Sequence, residues 1–235
     1  MSNSIIDKIK TKGYWRILFR PLTSEIKIGQ LERCKQIVEQ NGVKLRGWDY
    51  PHFPRRKDES SDLLPGDNYY VGYDDWMQFK ELWRMYQSGQ FIHYKALSED
   101  WYEEGIKHEY AEYNNKYRIL KITETIYFIT EVFEFLSRLT KQGIYKDGVD
   151  LSIKLMHTEG RILYAEHGIG MRYLEHYKTA APEISFERRY SEKQVAEDAP
   201  RLARDVLLHI FERFGWKPSA DMIKEYQMRL LEKKH

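Results

Sequence analysis

Four charged side chains in the second half of the chain have the residue types that metal-dependent nucleases use. Nucleases of the restriction-enzyme type need an acid on one strand and an acid and a lysine, two positions apart, on the next, because the carboxylates hold the metal beside the scissile phosphate. Asp150 and Lys154 flank one candidate strand, and Glu183 and Glu187 bracket another. Both strands lack the expected Glu-x-Lys triplet. A metal-dependent nuclease or phosphodiesterase is therefore an alternative and not the leading hypothesis.

Other metal and cofactor signatures are also absent from the sequence. None of the 8 histidines forms an HExxH motif or a paired Cys/His spacing, so no metal site is predicted. A GxG occurs at 168–170, but it has neither the third glycine nor the strand-to-helix opening of a dinucleotide-binding turn, and a simple loop is predicted. We therefore predict no cofactor and favour a protein that is not an enzyme.

Arginines interleave with aromatic residues in three separate segments. Rings that stack on bases and guanidiniums that hold phosphates give this pattern, and so does an ordinary sheet whose arginines cover its exposed face. Because Tyr, Trp and Arg dominate binding energy at interfaces, our leading hypothesis is a non-catalytic module that binds a protein or nucleic-acid partner. The predicted contact residues are Arg16, Arg20, Arg46, Trp48, Trp83 and Arg84.

A third hypothesis comes from the aromatic content. The chain has 18 Tyr and 6 Trp, and such rings are often only partly buried because their polar groups need partners. They could instead enclose a small molecule, which would make the chain a ligand sensor. The lining expected for that pocket is Tyr14, Trp48, Tyr69, Trp83 and Phe91.

Composition limits the class of protein. The 235 residues fit one large domain or one domain with an appendage, and a net charge of +2 gives no bulk attraction to nucleic acid. A single cysteine excludes an internal disulfide, and Cys34 is predicted to be a buried small hydrophobe. No apolar run resembles a signal peptide or a membrane span, so we expect a cytoplasmic protein without a membrane partner.

Two amphipathic helices are predicted to support the core. The stronger spans 123–142, with an apolar face about half the circumference wide and with Glu124, Glu131, Glu134 and Arg138 on the opposite face. Gly143 is suited to end it in a left-handed turn. The second spans 29–41.

Strands account for much of the remaining chain. We predict strands at 14–20, 68–73, 90–97, 117–122 and 184–190, a strand or extended run at 43–50, and a hairpin from 149 to 166 with its turn at 158–160. The segment 75–88 fits either a helix or an aromatic strand, and its β-prone residues favour the strand. Residues 98–116 show no period and are predicted to be irregular.

After residue 191 the sequence becomes helical. Ser191 and Gln194 have the spacing of a capping box, Pro200 predicts a break near Asp198, and Ser219 can cap a last helix. We therefore predict an α+β fold, with a mainly antiparallel sheet packed by two amphipathic helices and with C-terminal helices. The predicted division is a core domain, 1–190, and a helical extension packed on it, 191–235.

Five separated phrases resemble one protein family. They are WRILFRP at 15–21, LRGWDYPH at 45–52, SGQFIHY at 88–94, ERRYS at 187–191 and FGW at 214–216. They look like the uncharacterised region that accompanies Schlafen/AlbA-type DNA-binding domains in some bacterial regulators. The resemblance implies a bacterial accessory or sensory domain, and it assigns no active-site residue.

Overall fold

The computed structural model of the chain describes residues 2–23, 27–55, 58–102, 118–165 and 176–232. The α+β prediction is confirmed. The strands are β1 (Tyr14–Pro21), β2 (Ser61–Pro65), β3 (Tyr69–Trp76), β4 (Phe79–Tyr86), β5 (Phe91–Ala96), β6 (Ile119–Lys121), β7 (Val149–Met156), β8 (Ile162–Tyr164) and β9 (Glu183–Tyr190). Seven of these strands form a central antiparallel sheet in the order β2-β3-β4-β5-β1-β7-β9, and β6 and β8 form a parallel pair apart from it. The α-helices are α1 (Ser2–Ile9), α2 (Leu31–Asn41), α3 (Ile122–Lys141), α4 (Glu192–Glu212) and α5 (Ala220–Leu231).

The first strand of the chain occupies an interior position of the sheet. Tyr14 pairs with Ala96 of β5 on one side and with Met156 of β7 on the other. Because side chains alternate along a strand, Trp15, Ile17 and Phe19 all point to the face that the long helix α3 covers. We call this the helix face of the sheet.

Helix α3 is the helix predicted at 123–142, and it is more deeply buried than its sequence indicates. It packs against the sheet, α4 and α5. The prediction that Glu131 lies on an exposed face is wrong, because its side chain is only 1% exposed. Gly143 has φ 83°, as expected for the left-handed residue after the helix. Buried Cys34 anchors α2 in the same core, and burial raises the pKa of its thiol to about 11.

Within the described residues, the opposite face of the sheet is only partly covered. Helix α1 lays Ile5, Ile6 and Ile9 against one end of it, where they meet Val71 and Leu82. The rest carries polar and charged side chains of β1, β4, β7 and β9. We call this the open face.

Two predicted strand arrangements are wrong. The strand or extended run predicted at 43–50 is a loop instead, closed by one isolated bridge in which Val43 and Tyr50 exchange backbone hydrogen bonds. No hairpin joins β7 to β8: β7 pairs with β1 and β9, while β8 pairs with β6. The turn at 158–160 could be recognised from its residues. The strand that pairs with β7 could not, because it is β9, which lies further along the sequence than β8.

The ambiguous segment 75–88 is strand and not helix, but it is not one long strand continuing into 90–97: turns separate β4 from β3 and from β5, with which it pairs. Other local predictions are confirmed. The capping box of Ser191 and Gln194 is formed, and Asp198 has non-helical torsion angles inside α4. Ser219 caps α5. Within the described residues, no helix has the length and apolar character required to cross a membrane.

A glycine in β3 leaves room for the buried indole of Trp83. Gly72 stands opposite Trp83 in the register of β3 and β4, and a Cβ placed on Gly72 would lie 2.5 Å from the Trp83 ring. Trp83 is fully buried and its indole N–H donates to the carbonyl oxygen of His52. The ring therefore cannot move aside without loss of that contact.

We predict that Gly72→Ala lowers the free energy of unfolding by about 1–3 kcal/mol, the usual cost of overpacking a core. Urea denaturation measures the change. The matched control is Gly29→Ala, where a Cβ meets no atom within 4 Å. Equal midpoints for Gly72→Ala and the parent protein would contradict the prediction.

Candidate functional site

Trp48 lies in the loop between α2 and β2, and its ring is stacked among other aromatic rings. Its centroid is 3.7 Å from that of His52 and 5.1 Å from that of Phe79, and the ring is almost parallel to Trp76. Its indole N–H donates to Oε1 of Glu81 at 2.7 Å. This hydrogen bond attaches the loop to the helix face, together with those of the His52 backbone to Glu81 and Trp83.

Glu81, on β4, is a buried carboxylate with several donors. Besides Trp48, it accepts hydrogen bonds from His93 Nε2 at 2.8 Å and Lys95 Nζ at 3.3 Å. Burial alone would raise the pKa of Glu81, but Lys95 and His93 outweigh burial and hold that pKa well below its usual range. Glu81 is therefore an anion inside the domain.

The protonation state of His93 follows from these contacts. Burial lowers the pKa of His93, so its ring is neutral near pH 7. Nε2 must carry the proton because it faces the Glu81 carboxylate, which leaves Nδ1 as a bare acceptor. Nδ1 is buried and has no hydrogen-bond partner among the residues that the structure describes, consistent with that tautomer.

Arg46, from the same loop, is bound to α3. Its Nε and Nη2 donate to the two carboxylate oxygens of Glu131 at 2.8 and 2.6 Å, and Nη1 donates to Glu124 at 2.6 Å. Such a forked pair is the strong form of an arginine–carboxylate contact. Burial still raises the pKa of Glu131 above its ordinary value. Arg46 thus compensates a carboxylate that has little access to water.

A second acidic cluster lies on the other side of Trp48. His52 Nδ1 is 2.6 Å from Asp49 Oδ1, and His52 Nε2 is 3.7 Å from Oδ2 of Asp74. Burial disfavours the charged form of His52, but the contact with Asp49 and the nearby carboxylates outweigh it and raise the pKa of the ring. Burial raises the pKa of Asp74 to about 6, although a hydrogen bond with Ser61 opposes the change. Asp74 is a destabilised anion at neutral pH.

Two cavities adjoin Trp48, and its side chain lines both. The larger, of about 280 Å³, lies between the helix face and the first turns of α3. Aromatic and charged groups alternate around it: Trp15, Trp48, Phe79, Phe128, Arg46, Lys95, Glu99 and Glu124. The smaller, of about 250 Å³, is lined by Trp48, His52, Arg55, Ser60, Ser61, Asp74 and Trp76.

The predicted contact residues are divided between the two faces of the sheet. Arg46 and Trp48 are on the helix face beside the cavities, and fully buried Trp83 lies beneath them. The three other arginines occupy the open face. Arg20 is exposed there, whereas Arg16 and Arg84 are half-buried and Arg84 lies over the ring of Tyr69. The structure therefore does not bring the six together as one surface.

Most of the residues predicted to line a ligand pocket also lie elsewhere in the structure. Of its five residues, Trp48 alone belongs to the lining of the two cavities described above. Trp83 and Phe91 are fully buried in the core, where packing leaves them no open side. Tyr14 and Tyr69 contribute to the cluster on the opposite side of the sheet, with α1.

The four residues of the nuclease alternative share the open face. Lys154 is 3.8 Å from both Glu183 and Glu187, while Asp150 is paired with Arg189 at 2.9 Å. In the part of the chain that the structure describes, no group of three or more His, Cys, Asp or Glu side chains is arranged to hold a metal ion. The GxG at 168–170 lies outside the described residues.

Sequence reasoning missed the buried ionisable residues that surround Trp48. One signal was available: Phe91, His93 and Lys95 alternate along β5, so the histidine and the lysine share the inward direction of the phenylalanine. No local pattern shows that Glu81 meets them. The family resemblance stays a prediction, because no family model, curated protein or solved structure matches this chain.

We predict that Asp74→Asn stabilises the protein at neutral pH. A carboxyl whose pKa rises from 3.8 to about 6 on folding costs the folded state about 3 kcal/mol once both states are ionised. The cost is absent below the unfolded value and fully present above the folded one. The stability difference between variant and parent should therefore grow between about pH 4 and 6 and then level off, as measured by urea denaturation at each pH.

Asp62→Asn, in the neighbouring strand, makes the same substitution at a half-buried position that does not line the cavity, and it is the control. A difference for Asp74→Asn that does not change across this pH range would contradict the assignment.

We predict that Arg46→Ala destabilises the fold by about 3–5 kcal/mol, because it leaves the buried carboxylate of Glu131 without its partner. The comparison is Arg20→Ala, at an exposed site, with an expected change within about 0.5 kcal/mol. Chemical denaturation of both variants tests the structural role of Arg46. Similar small losses for the two would indicate that Arg46 is a surface residue.

Proposed function

We propose that this protein is a non-catalytic sensory module that binds a small molecule beside Trp48. One observation carries the proposal: a single indole forms the common wall of two cavities, and its hydrogen bond to the buried carboxylate of Glu81 fixes its position. Small-molecule sites are concave and largely apolar, with a few well-placed polar groups. The surroundings of Trp48 have these properties.

The charges around the larger cavity limit the ligand. Arg46 and Lys95 line it, but each is already paired with a buried glutamate. Glu124 is paired with Arg46. Lys80, also in the lining, is paired with Asp75, and burial raises the pKa of Glu99 and so disfavours its charged form. Among these groups an ionic ligand would lose its hydration without gaining a free counter-ion. A neutral or zwitterionic molecule with an aromatic or planar part is the better match.

The positions of the arginines favour this function over a single macromolecular interface. A nucleic-acid partner on the open face would meet Arg16, Arg20 and Arg84, but Trp48 and Arg46 would be on the far side of the sheet. The open face also carries acidic side chains from β7 and β9 among its basic ones. Its mixed charge lacks the basic stripe typical of phosphate binding.

A thermal-shift screen with a panel of neutral and zwitterionic metabolites tests the proposal. A ligand present at 100 times its Kd should stabilise the protein by about 2.7 kcal/mol, which corresponds to a rise in Tm of roughly 5–10 °C for a chain of this size. Trp48→Leu should abolish that rise, because it removes the wall shared by both cavities.

Phe53→Leu is the matched control, since Phe53 is a half-buried ring that packs on Trp83 and lines neither cavity. The proposal fails if no compound in the panel stabilises the parent protein. It also fails if Trp48→Leu and Phe53→Leu respond equally to a compound that does.

A further inference from the structure

Asp74 lines the smaller cavity, and its carboxylate is not fully satisfied by the described residues. The residue is 5% exposed, and within the described part of the chain its Oδ2 has no hydrogen-bond partner. The nearest ionisable group is His52 Nε2, at 3.7 Å, which is too far for a hydrogen bond. Leaving such an acceptor unsatisfied is costly, so an oxygen of this kind at a cavity wall indicates a missing donor.

The opposing histidine supplies the complementary group. Asp49 holds Nδ1 of His52 at 2.6 Å and so fixes the orientation of the ring, with Nε2 toward Asp74 and the cavity. In the protonated ring, Nε2–H is a donor. The cavity wall therefore presents an acceptor and a donor 3.7 Å apart. The ligand group that matches them carries one donor and one acceptor side by side.

The aromatic side chains of the smaller cavity favour a flat ligand. The rings of Trp48 and Trp76 are inclined by only 6°, and the His52 ring is inclined by 20° to that of Trp48. Trp76 is 38% exposed, which is unusual for so large an apolar side chain. A planar ring entering parallel to these groups would cover the exposed indole and extend the stack.

We propose that the smaller cavity binds a planar nitrogen heterocycle through its lactam edge, with the ring N–H donating to Asp74 Oδ2 and the adjacent carbonyl oxygen accepting from His52 Nε2. This inference rests on the proposed ligand-binding function and specifies the chemistry of one ligand class. A volume of about 250 Å³ has room for a ring system of one or two rings. Ser61 holds the carboxylate of Asp74 in place by a hydrogen bond.

Calorimetric titration of the full chain with uracil and with hypoxanthine tests the inference. Both have a ring N–H beside a carbonyl group. The control ligand is 1,3-dimethyluracil, which keeps the ring and the carbonyl groups but has no N–H. Uracil or hypoxanthine should bind and quench tryptophan fluorescence, and the dimethylated ring should bind at least tenfold more weakly.

Asp74→Asn should weaken lactam binding at least tenfold, because the amide NH2 replaces the acceptor that faces the cavity. The loss would accompany a more stable protein, so unfolding could not explain it. Asp62→Asn should leave binding unchanged, since Asp62 does not line the cavity.

Three results would overturn the inference: no binding of either lactam, equal binding by parent and Asp74→Asn, or preferential binding of benzamidine, which offers two donors. If the lactams fail but another metabolite binds in a manner that depends on Trp48, the ligand-binding function stands and only the lactam assignment is lost. If nothing in the wider panel binds, both are lost.

Discussion

The buried carboxylate of Glu81 is the constraint from which the arrangement around Trp48 follows. An ionised carboxylate inside a domain must be compensated, and here the lysine and the histidine of β5 and the indole of the α2–β2 loop do so. Because one of these donors belongs to a loop and two belong to a strand, the same group that needs compensation also fixes the loop on the sheet. Trp48, held in this position, lines both cavities.

Arg46 and Trp48 are two positions apart and bind different layers of the domain. The arginine joins the loop to α3 through Glu131, and the tryptophan joins it to β4 through Glu81. Each contact uses a charged carboxylate that would be costly to leave alone, so neither half of the loop can be released independently at small cost. This part of the loop therefore has a fixed position between α3 and the sheet. The cavity walls that it forms have the preorganisation that ligand sites require.

The helices and strands could be predicted from the sequence more reliably than the pairing of the strands. The period of α3, the capping box at Ser191 and the alternation of β1 are local properties, so they could be recognised without knowledge of the fold. The pairing of β7 with β9 and of β8 with β6 depends on contacts between distant segments. The site was missed for a related reason: inward-facing His93 and Lys95 look like exposed residues until Glu81 is placed beside them. The aromatic residues were correctly taken as informative, but the deepest of them, Trp83 and Phe91, are core residues.

The interior position of β1 also affects the order in which the sheet can assemble. Tyr14 is among the first residues of the chain, yet its partners are Ala96 and Met156, far along the sequence. Contacts of such large separation slow folding, because the intervening chain must be closed into a loop before they form. During translation, β1 emerges before its partner strands. Trp15, Ile17 and Phe19 therefore stay uncovered until β7 has been synthesised. This strand is therefore a natural binding segment for chaperones during synthesis, although the finished domain buries those three side chains.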